Sequence, residues 1–350
     1  MRGLNLKKIA FVINNAYSYA GTENICNFMT ECYGEHNITI YSVSGEGETF
    51  YPYKSVKEII SYDGYKNPVK KIVDHINKNN YNYVFVISMG KLSVLYSFWN
   101  LFFRKNNPDC KYFACEHVAL HSFNFIVRCL KFIFLRFYDK VIVLTDKDNI
   151  TFEKWGIKSL KILNPISFKN FYRQNRTYQA LAVGRLDYQK GFDLLLDIWR
   201  NFSATNKNWK LFIAGDGELR QHLGEMIKTF NIGNSVTLLG KVNDIDKYYS
   251  QSDMLLMTSR YEGLPLALLE AKSWSLPAIA YDCPTGPREI IEDEKDGFLI
   301  PLNDKESFID KMNLLATNDE CFFKLSLNAK ITSSKFDSRV IKNQWLSLIL

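Results

Sequence analysis

Ala180-Leu181-Ala182-Val183-Gly184-Arg185-Leu186-Asp187-Tyr188-Gln189-Lys190-Gly191 runs from hydrocarbon through glycine into charge. The apolar run to Val183 predicts a buried parallel strand, Gly184 turns the chain, and Arg185 and Lys190 emerge on the loop before a helix over 191–204. At the carboxyl end of such a strand, two cations are placed to neutralise a pyrophosphate, which gains charge as it leaves. A basic pair on a loop is by itself more often plain surface, so its meaning depends on the residues it is paired with.

About 75 residues further along the chain stands Glu262-Gly263-Leu264-Pro265-Leu266-Ala267-Leu268-Leu269-Glu270, a carboxylate, a glycine turn and an apolar helical run. Gly263 and Pro265 mark a loop-to-helix junction, with proline tolerated in the first turn, so the amides near Gly263 and Leu264 should lie free at the positive end of a helix. The eight-residue spacing of the two acids is a little over two helical turns and puts both on one side. Carboxylates accept hydrogen bonds from hydroxyls, which suits one acid to a sugar ring and the other to a ribose. The plain alternative is a solvated Glu opening an ordinary amphipathic helix.

Gly184-Arg185-Leu186 with Lys190-Gly191, then Ala214-Gly215-Asp216-Gly217, then Glu262 to Glu270, then Pro284-Thr285-Gly286-Pro287-Arg288-Glu289 stand in an order and spacing that resemble the retaining, nucleotide-sugar-dependent group 1 (family 4) glycosyltransferases. The resemblance covers the carboxyl half. In the amino half it rests on Ala20-Gly21-Thr22-Glu23, on Cys115-Glu116-His117 and on overall length. Pro284 to Pro287 and Glu116-His117 resemble, more narrowly, the bacterial surface-polysaccharide members (O-antigen, capsule or exopolysaccharide) that use galactose-type UDP-sugars.

The resemblance implies an α/β fold of two Rossmann-like, doubly wound domains facing a cleft, the GT-B fold. It also implies roles. Arg185 and Lys190 would stabilise the departing diphosphate, Glu262 would hold the sugar and Glu270 the ribose hydroxyls. The amides of Gly263 and Leu264, beside Pro265, would meet sugar hydroxyls or phosphate, with Gly184 and Gly215 lining the donor site. Main-chain groups at Lys241 and Val242 would meet the base, and His117 the transferred sugar. Gly21, close after the first strand, could let backbone amides approach a phosphate, although Ala20 stands where the family has the first of two adjacent glycines. Asp216 between its glycines reads as a turn or cap residue.

Strand-like runs at 8–14, 37–43, 83–88, 111–115 and 140–144, and again at 179–183, 210–214, 236–239, 254–257, 277–281 and 298–300, alternate with helical stretches and predict parallel sheets. At 350 residues and 47% hydrophobic composition the chain should form two domains. The expected division is a first domain over 1–165, a linker over 166–178, a nucleotide-sugar domain over 179–335 and a final helix over 336–350. Val340, Ile341, Trp345 and Leu348 give that helix an apolar stripe needing a surface. The resemblance implies that it crosses back to the first domain; a simple cap on the second is the other reading. Seven cysteines without Cys-x-x-Cys spacing argue against a disulfide framework or zinc site and point to a reducing compartment. The apolar run near the start is too short for a signal peptide or a span and reads as a first strand.

Charge is shared unevenly: residues 1–170 carry +8 and the remainder −1, making the net +7. A basic half can attract nucleic acid, acidic sugars or an anionic membrane. No nucleic-acid motif accompanies it, and its aromatics sit in apolar runs rather than alternating with cations, so the membrane ranks first. Residues 120–138, with Arg128, Lys131 and Arg136 in one helical arc, and Val94 to Phe103, ending in Arg104-Lys105, fit interfacial helices. They also fit core helices whose cations reach past their neighbours to water. Two such segments favour a cytoplasmic enzyme peripheral to the inner face of the membrane, where a lipid-linked glycan acceptor would lie.

Asp146-Lys147-Asp148 and Asp244-Ile245-Asp246 match the Asp-x-Asp pattern that binds a divalent ion in a different transferase fold. Each stands where a helix begins, so both read as aspartates capping free amides. With Arg185 and Lys190 available to the diphosphate, neither a metal nor another cofactor is expected. The expected reaction moves a hexose or N-acetylhexosamine, of galactose type, from a UDP-sugar to a glycan hydroxyl with retention. A sugar-nucleotide epimerase or a non-catalytic nucleotide-sugar-binding subunit would share the binding residues.

Overall fold

The protein's structure, a computed structural model, describes residues 6–18, 21–167, 169 and 171–349. Tyr19 and Ala20 of the glycine loop, residues 1–5, Phe168 and Asn170 of the expected linker, and Leu350 lie outside the described residues. The chain divides into two compact units, Met1–Pro165 with Arg339–Leu350, and Ile166–Ser338.

Parallel strands covered on both faces need unbroken apolar runs, and the chain supplies two sets. In the first unit the strands are β1 (Lys8–Asn15), β2 (Asn37–Ser44), β3 (Glu58–Ser61), β4 (Tyr83–Ser88), β5 (Lys111–Glu116), β6 (Lys140–Val143) and β7 (Ser159–Lys161). They pair in the order β3-β2-β1-β4-β5-β6-β7, every pair parallel. Between them run α1 (Gly21–Cys32), α2 (Pro68–Lys78), α3 (Leu92–Phe103), α4 (Phe125–Phe134) and α5 (Asp146–Lys154). The second unit has β8 (Gln179–Val183), β9 (Lys210–Ala214), β10 (Val236–Gly240), β11 (Met254–Met257), β12 (Ala278–Asp282) and β13 (Gly297–Pro301). Their order is β10-β9-β8-β11-β12-β13, again all parallel. Its helices are α6 (Phe192–Thr205), α7 (Arg220–Thr229), α8 (Ile245–Gln251), α9 (Leu266–Ser273), α10 (Pro287–Ile290), α11 (Lys305–Thr317) and α12 (Asp319–Ser333).

The last helix, α13 (Ser338–Leu346), carries Ile341 and Trp345 into the core of the first unit. There Phe11, Phe85 and Phe113 stack across β1, β4 and β5 with ring centroids 5.2 and 4.9 Å apart. Trp345 meets Phe85 edge-on at 6.2 Å, and Tyr33 Oη donates to the Trp345 carbonyl at 2.6 Å. The core of the second unit gathers Trp199, Phe202 and Trp209 with the inward residues of β8, β9 and β12.

Three features depart from the sequence expectation. The edge strands β3 and β7 were not anticipated; they span four and three residues and lie largely half-buried, so no apolar run announces them. Helix α12 was not anticipated either, although the Asn318 side chain accepts from the Cys321 amide at its start. Of the Asp-x-Asp aspartates only Asp244 stands at a helix cap position, that of α8, and α5 is capped by Thr145. Thr145 Oγ1 accepts the Asp148 amide at 3.1 Å, Asp146 pairs with Lys161 at 2.6 Å, and the Asp148 carboxylate takes the Leu120 amide. Asp244 makes no side-chain cap bond, and Asp246 accepts from Lys169 at 2.6 Å and from Trp274 Nε1 at 3.1 Å.

Trp345 is almost fully buried, so Trp345→Ala should destabilise the protein by roughly 3–5 kcal/mol in urea unfolding. Unfolding indistinguishable from wild type would mean that α13 adds little to the first unit's core.

Candidate functional site

In the second sheet the strand order reverses between β8 and β11, which pair through Ala180 with Met254 and Leu181 with Leu255. In open α/β sheets the crevice outside the carboxyl ends of such neighbours is where ligands bind. Here the two outgoing loops, 184–191 and 258–265, are knitted together. Thr258 Oγ1 donates to the Gly191 carbonyl at 2.8 Å, and the Arg260 amide to the Gln189 carbonyl at 2.8 Å. The Arg260 guanidinium forks onto Asp193 at 3.0 and 2.6 Å, in the bidentate geometry that is strongest for this pair.

At the centre of the two loops, Lys190 Nζ lies 2.6 Å from Glu262 Oε1, with the side chains 20% and 6% exposed. Opposite charges removed from water are tolerated because they are paired, and removing either leaves the other uncompensated. A Cβ on Gly184 would come within 3.1 Å of the Lys190 stem, so the bare backbone at Gly184 gives that stem its path. Gly215 meets Gly184 backbone to backbone: at φ 141° its Cβ would stand 1.8 Å from the Gly184 carbonyl oxygen. The Pro284 to Glu289 motif braces the other side, Thr285 Oγ1 donating to the Glu262 carbonyl. Gly286, at φ 96°, packs where a Cβ would come within 2.5 Å of the Gly263 carbonyl oxygen.

Among the described residues, none of the remaining expected residues has a side-chain hydrogen bond to that pair. Helix α9 begins at Leu266, with Pro265 at its cap position; the Gly263 and Leu264 amides donate to no acceptor among the described residues. Glu270 Oε2, on α9, accepts from Tyr249 Oη at 2.7 Å, and burial pushes its carboxyl above the usual range while the Tyr249 bond opposes that. Arg185 is 75% exposed and its Nη2 lies 3.2 Å from Asp187. Lys241 and Val242 follow β10, two strands from β8. Asp216 takes the Gly217 amide at 2.9 Å, as a turn residue does.

In the first unit, Gly21 is the first residue of α1 and is exposed. His117 directly follows β5, its Nε2 buried and without a partner among the described residues; burial lowers the imidazole to about 4. Glu116 turns inward, accepting from Ser93 Oγ at 2.5 Å and pairing with Lys131 Nζ at 2.5 Å. Lys131 therefore does not join Arg128 and Arg136 on a solvated arc, because β5 supplies a buried carboxylate for it. Sequence reasoning missed Tyr249, the Asp193–Arg260 fork and Lys131 as a buried partner. Each meets a residue from another element, and no local pattern records that.

Two parallel sheets flanked by helices are the architecture of the GT-B transferases. Solved structures agree over nearly the whole chain. The lipopolysaccharide outer core galactosyltransferase WaaB, apo form, superposes with a TM-score of 0.81 at 20% identity, covering 98% of this chain and 100% of that one. Anabaena Alr3699/HepE in complex with UDP gives 0.83 at 16% identity, covering 98% and 99%. The family model "Glycosyl transferases group 1" matches residues 165–332. The amylovoran biosynthesis glycosyltransferase AmsD of Erwinia amylovora is 32% identical over 98% of this chain and 99% of that protein. The chain belongs to the group 1 glycosyltransferases.

With its folded value depressed to about 4, the His117 imidazole should stay neutral at pH 7 and take its proton only as pH falls from the unfolded range toward that value. Stability held above the unfolded value should be lost over that interval. NMR titration of the ring tests this, and a midpoint near the ordinary histidine value would show a solvated ring.

Proposed function

We propose that this enzyme transfers a hexose or N-acetylhexosamine, of galactose type, from a UDP-sugar to a hydroxyl of a lipid-linked glycan, with retention, in bacterial surface-polysaccharide assembly. The observation that carries the reading is the Lys190–Glu262 pair at the β8–β11 switch point. The bond between the anomeric carbon and the diphosphate breaks, and the electron pair leaves with UDP. The acceptor hydroxyl oxygen bonds to the same face of that carbon, and its proton passes to the departing phosphate oxygen. Lys190, with Arg185, offsets the charge that develops on that oxygen, a task for preorganised cations in a low-dielectric site. Glu262 orients a sugar hydroxyl and holds the ammonium in place. The Gly263 and Leu264 amides, without protein acceptors among the described residues, suit sugar oxygens or phosphate. Glu270, set by Tyr249, takes the ribose, and main-chain groups at Lys241 and Val242 take the base. In the first unit, neutral His117 offers Nε2 to a sugar hydroxyl, and the start of α1 at Gly21 suits phosphate.

Because Lys190 and Arg185 carry the diphosphate charge, no metal is required, and the reaction should proceed in EDTA. The likeness to AmsD, named for amylovoran biosynthesis, and to WaaB, named a lipopolysaccharide galactosyltransferase, supports the polymer class and sugar type; the HepE complex supports UDP. Among the described residues no helix is long and apolar enough to cross a membrane, and a peripheral position on the inner face of the cytoplasmic membrane accords with the basic first half.

Incubation with a panel of UDP-sugars and a membrane lipid extract should release UDP only when acceptor is present, giving an α-linked product from an α-linked donor by NMR. Isomerised UDP-sugar would mean an epimerase, and binding without turnover a non-catalytic subunit. Glu262→Gln or Lys190→Ala should lower kcat/KM by ~2–3 kcal/mol, about 30- to 150-fold, with the fold checked by circular dichroism. Near-normal turnover in either variant removes that residue's role.

A further inference from the structure

Helix α4 has its polarity inverted for a helix facing water. It buries Val127 and Lys131, the latter held by Glu116, and exposes Phe125 and Ile126 at 77% and 68%. Leu130 and Ile133, one and two turns on, are exposed as well. Helix α3 does likewise, exposing Leu95, Phe98 and Phe102 at near-helical spacing. The helices touch: Phe98 meets Phe134 with ring centroids 5.9 Å apart, and Ser97 Oγ donates to the Phe134 carbonyl at 2.7 Å. Ten of the 23 large apolar side chains exposed among the described residues fall between Leu95 and Phe137, so the outward hydrocarbon is concentrated here rather than scattered.

The charge around this face selects its occupant. From Lys91 to Pro108 and from His117 to Tyr138 the sequence has no Asp or Glu, while Lys91, Lys105, Arg128 and Arg136 are exposed there. A second copy docked by a two-fold axis would bring this cationic rim against itself. An anionic bilayer accepts both parts, hydrocarbon into the acyl boundary and cations among the headgroups.

We propose that the outward faces of α3 and α4 are a docking surface for an anionic lipid bilayer, with the aromatic and aliphatic side chains entering the headgroup boundary and Lys105 and Arg128 pairing with anionic headgroups. The purpose assigned to it, bringing the enzyme to a lipid-linked acceptor, rests on the transferase reading; the surface itself does not. Cys129, exposed on α4, is a built-in reporter, and half-buried Cys321 in the second unit is its internal reference.

The full-length protein should sediment with phosphatidylglycerol-containing vesicles and not with phosphatidylcholine vesicles, and the former should slow maleimide labelling of Cys129 but not of Cys321. Phe102→Asp with Ile126→Asp, or Lys105→Gln with Arg128→Gln, should weaken vesicle binding by about tenfold or more while leaving turnover on a water-soluble acceptor glycan unchanged. The polar pair removes no hydrocarbon and keeps the test valid if the apolar pair misfolds. Undiminished vesicle binding in both variants, an unprotected Cys129, or a dimer in sedimentation equilibrium that the apolar variant dissociates would overturn the proposal. Vesicle binding without transfer to any acceptor would sink the transferase reading and leave the docking surface standing.

Discussion

The ion pair between Lys190 and Glu262 is the constraint on which the second unit's site depends. Neither charge could sit so far from water alone, and each comes from a different loop, so the pair exists only when β8 and β11 lie side by side with both loops in register. The neighbouring contacts hold that register. Arg260 on Asp193 and Thr258 on the Gly191 carbonyl clamp the loops, and Thr285 and Gly286 brace Glu262 and Gly263 from behind. The result is a cation whose position is set before any ligand arrives. Electrostatic catalysis asks for that, because a preorganised charge need not reorganise when the transition state forms.

The first unit uses a second buried pair for a different end. Lys131 and Glu116 tie α4 to the end of β5, one residue before His117. Anchoring the helix by its cation leaves its hydrocarbon outward. One substitution-sized choice, a lysine on the inward face, thereby links the orientation of the apolar surface to the strand end that presents the histidine. These two pairs lie at or beyond the carboxyl ends of strands, where side chains can meet across elements.

Much of this was legible beforehand because parallel strands leave unbroken apolar runs, and all eleven of the runs read as strands became strands. The edge strands β3 and β7 escaped because they are only four and three residues long and half-buried, whereas β10 and β13, the edges of the second sheet, carry apolar runs and were read. Motif residues were readable where a backbone requirement forces the residue type, as with Gly215 against Gly184 or Gly286 against Gly263. Asp146, Asp148 and Asp246 do not cap their helices, because capping is a local rule, whereas Lys161, the Leu120 amide, Lys169 and Trp274 come from elsewhere and took their carboxylates; Asp244 keeps the cap position of α8 without a side-chain bond.

From the sequence alone came the alternation of strands and helices, the two-domain size, the basic first half and the identity of the charged residues in the 180s and 260s. Periodicity, turn chemistry and net charge are properties of neighbours along a chain, so a chain displays them. Which charges meet was decided only by the fold: Lys190 found Glu262, while Arg185 kept to Asp187 and Glu270 to Tyr249. The inward turn of Lys131 was likewise invisible, because what buries a cation is a carboxylate brought to it by another strand, and strand order is a long-range outcome of packing.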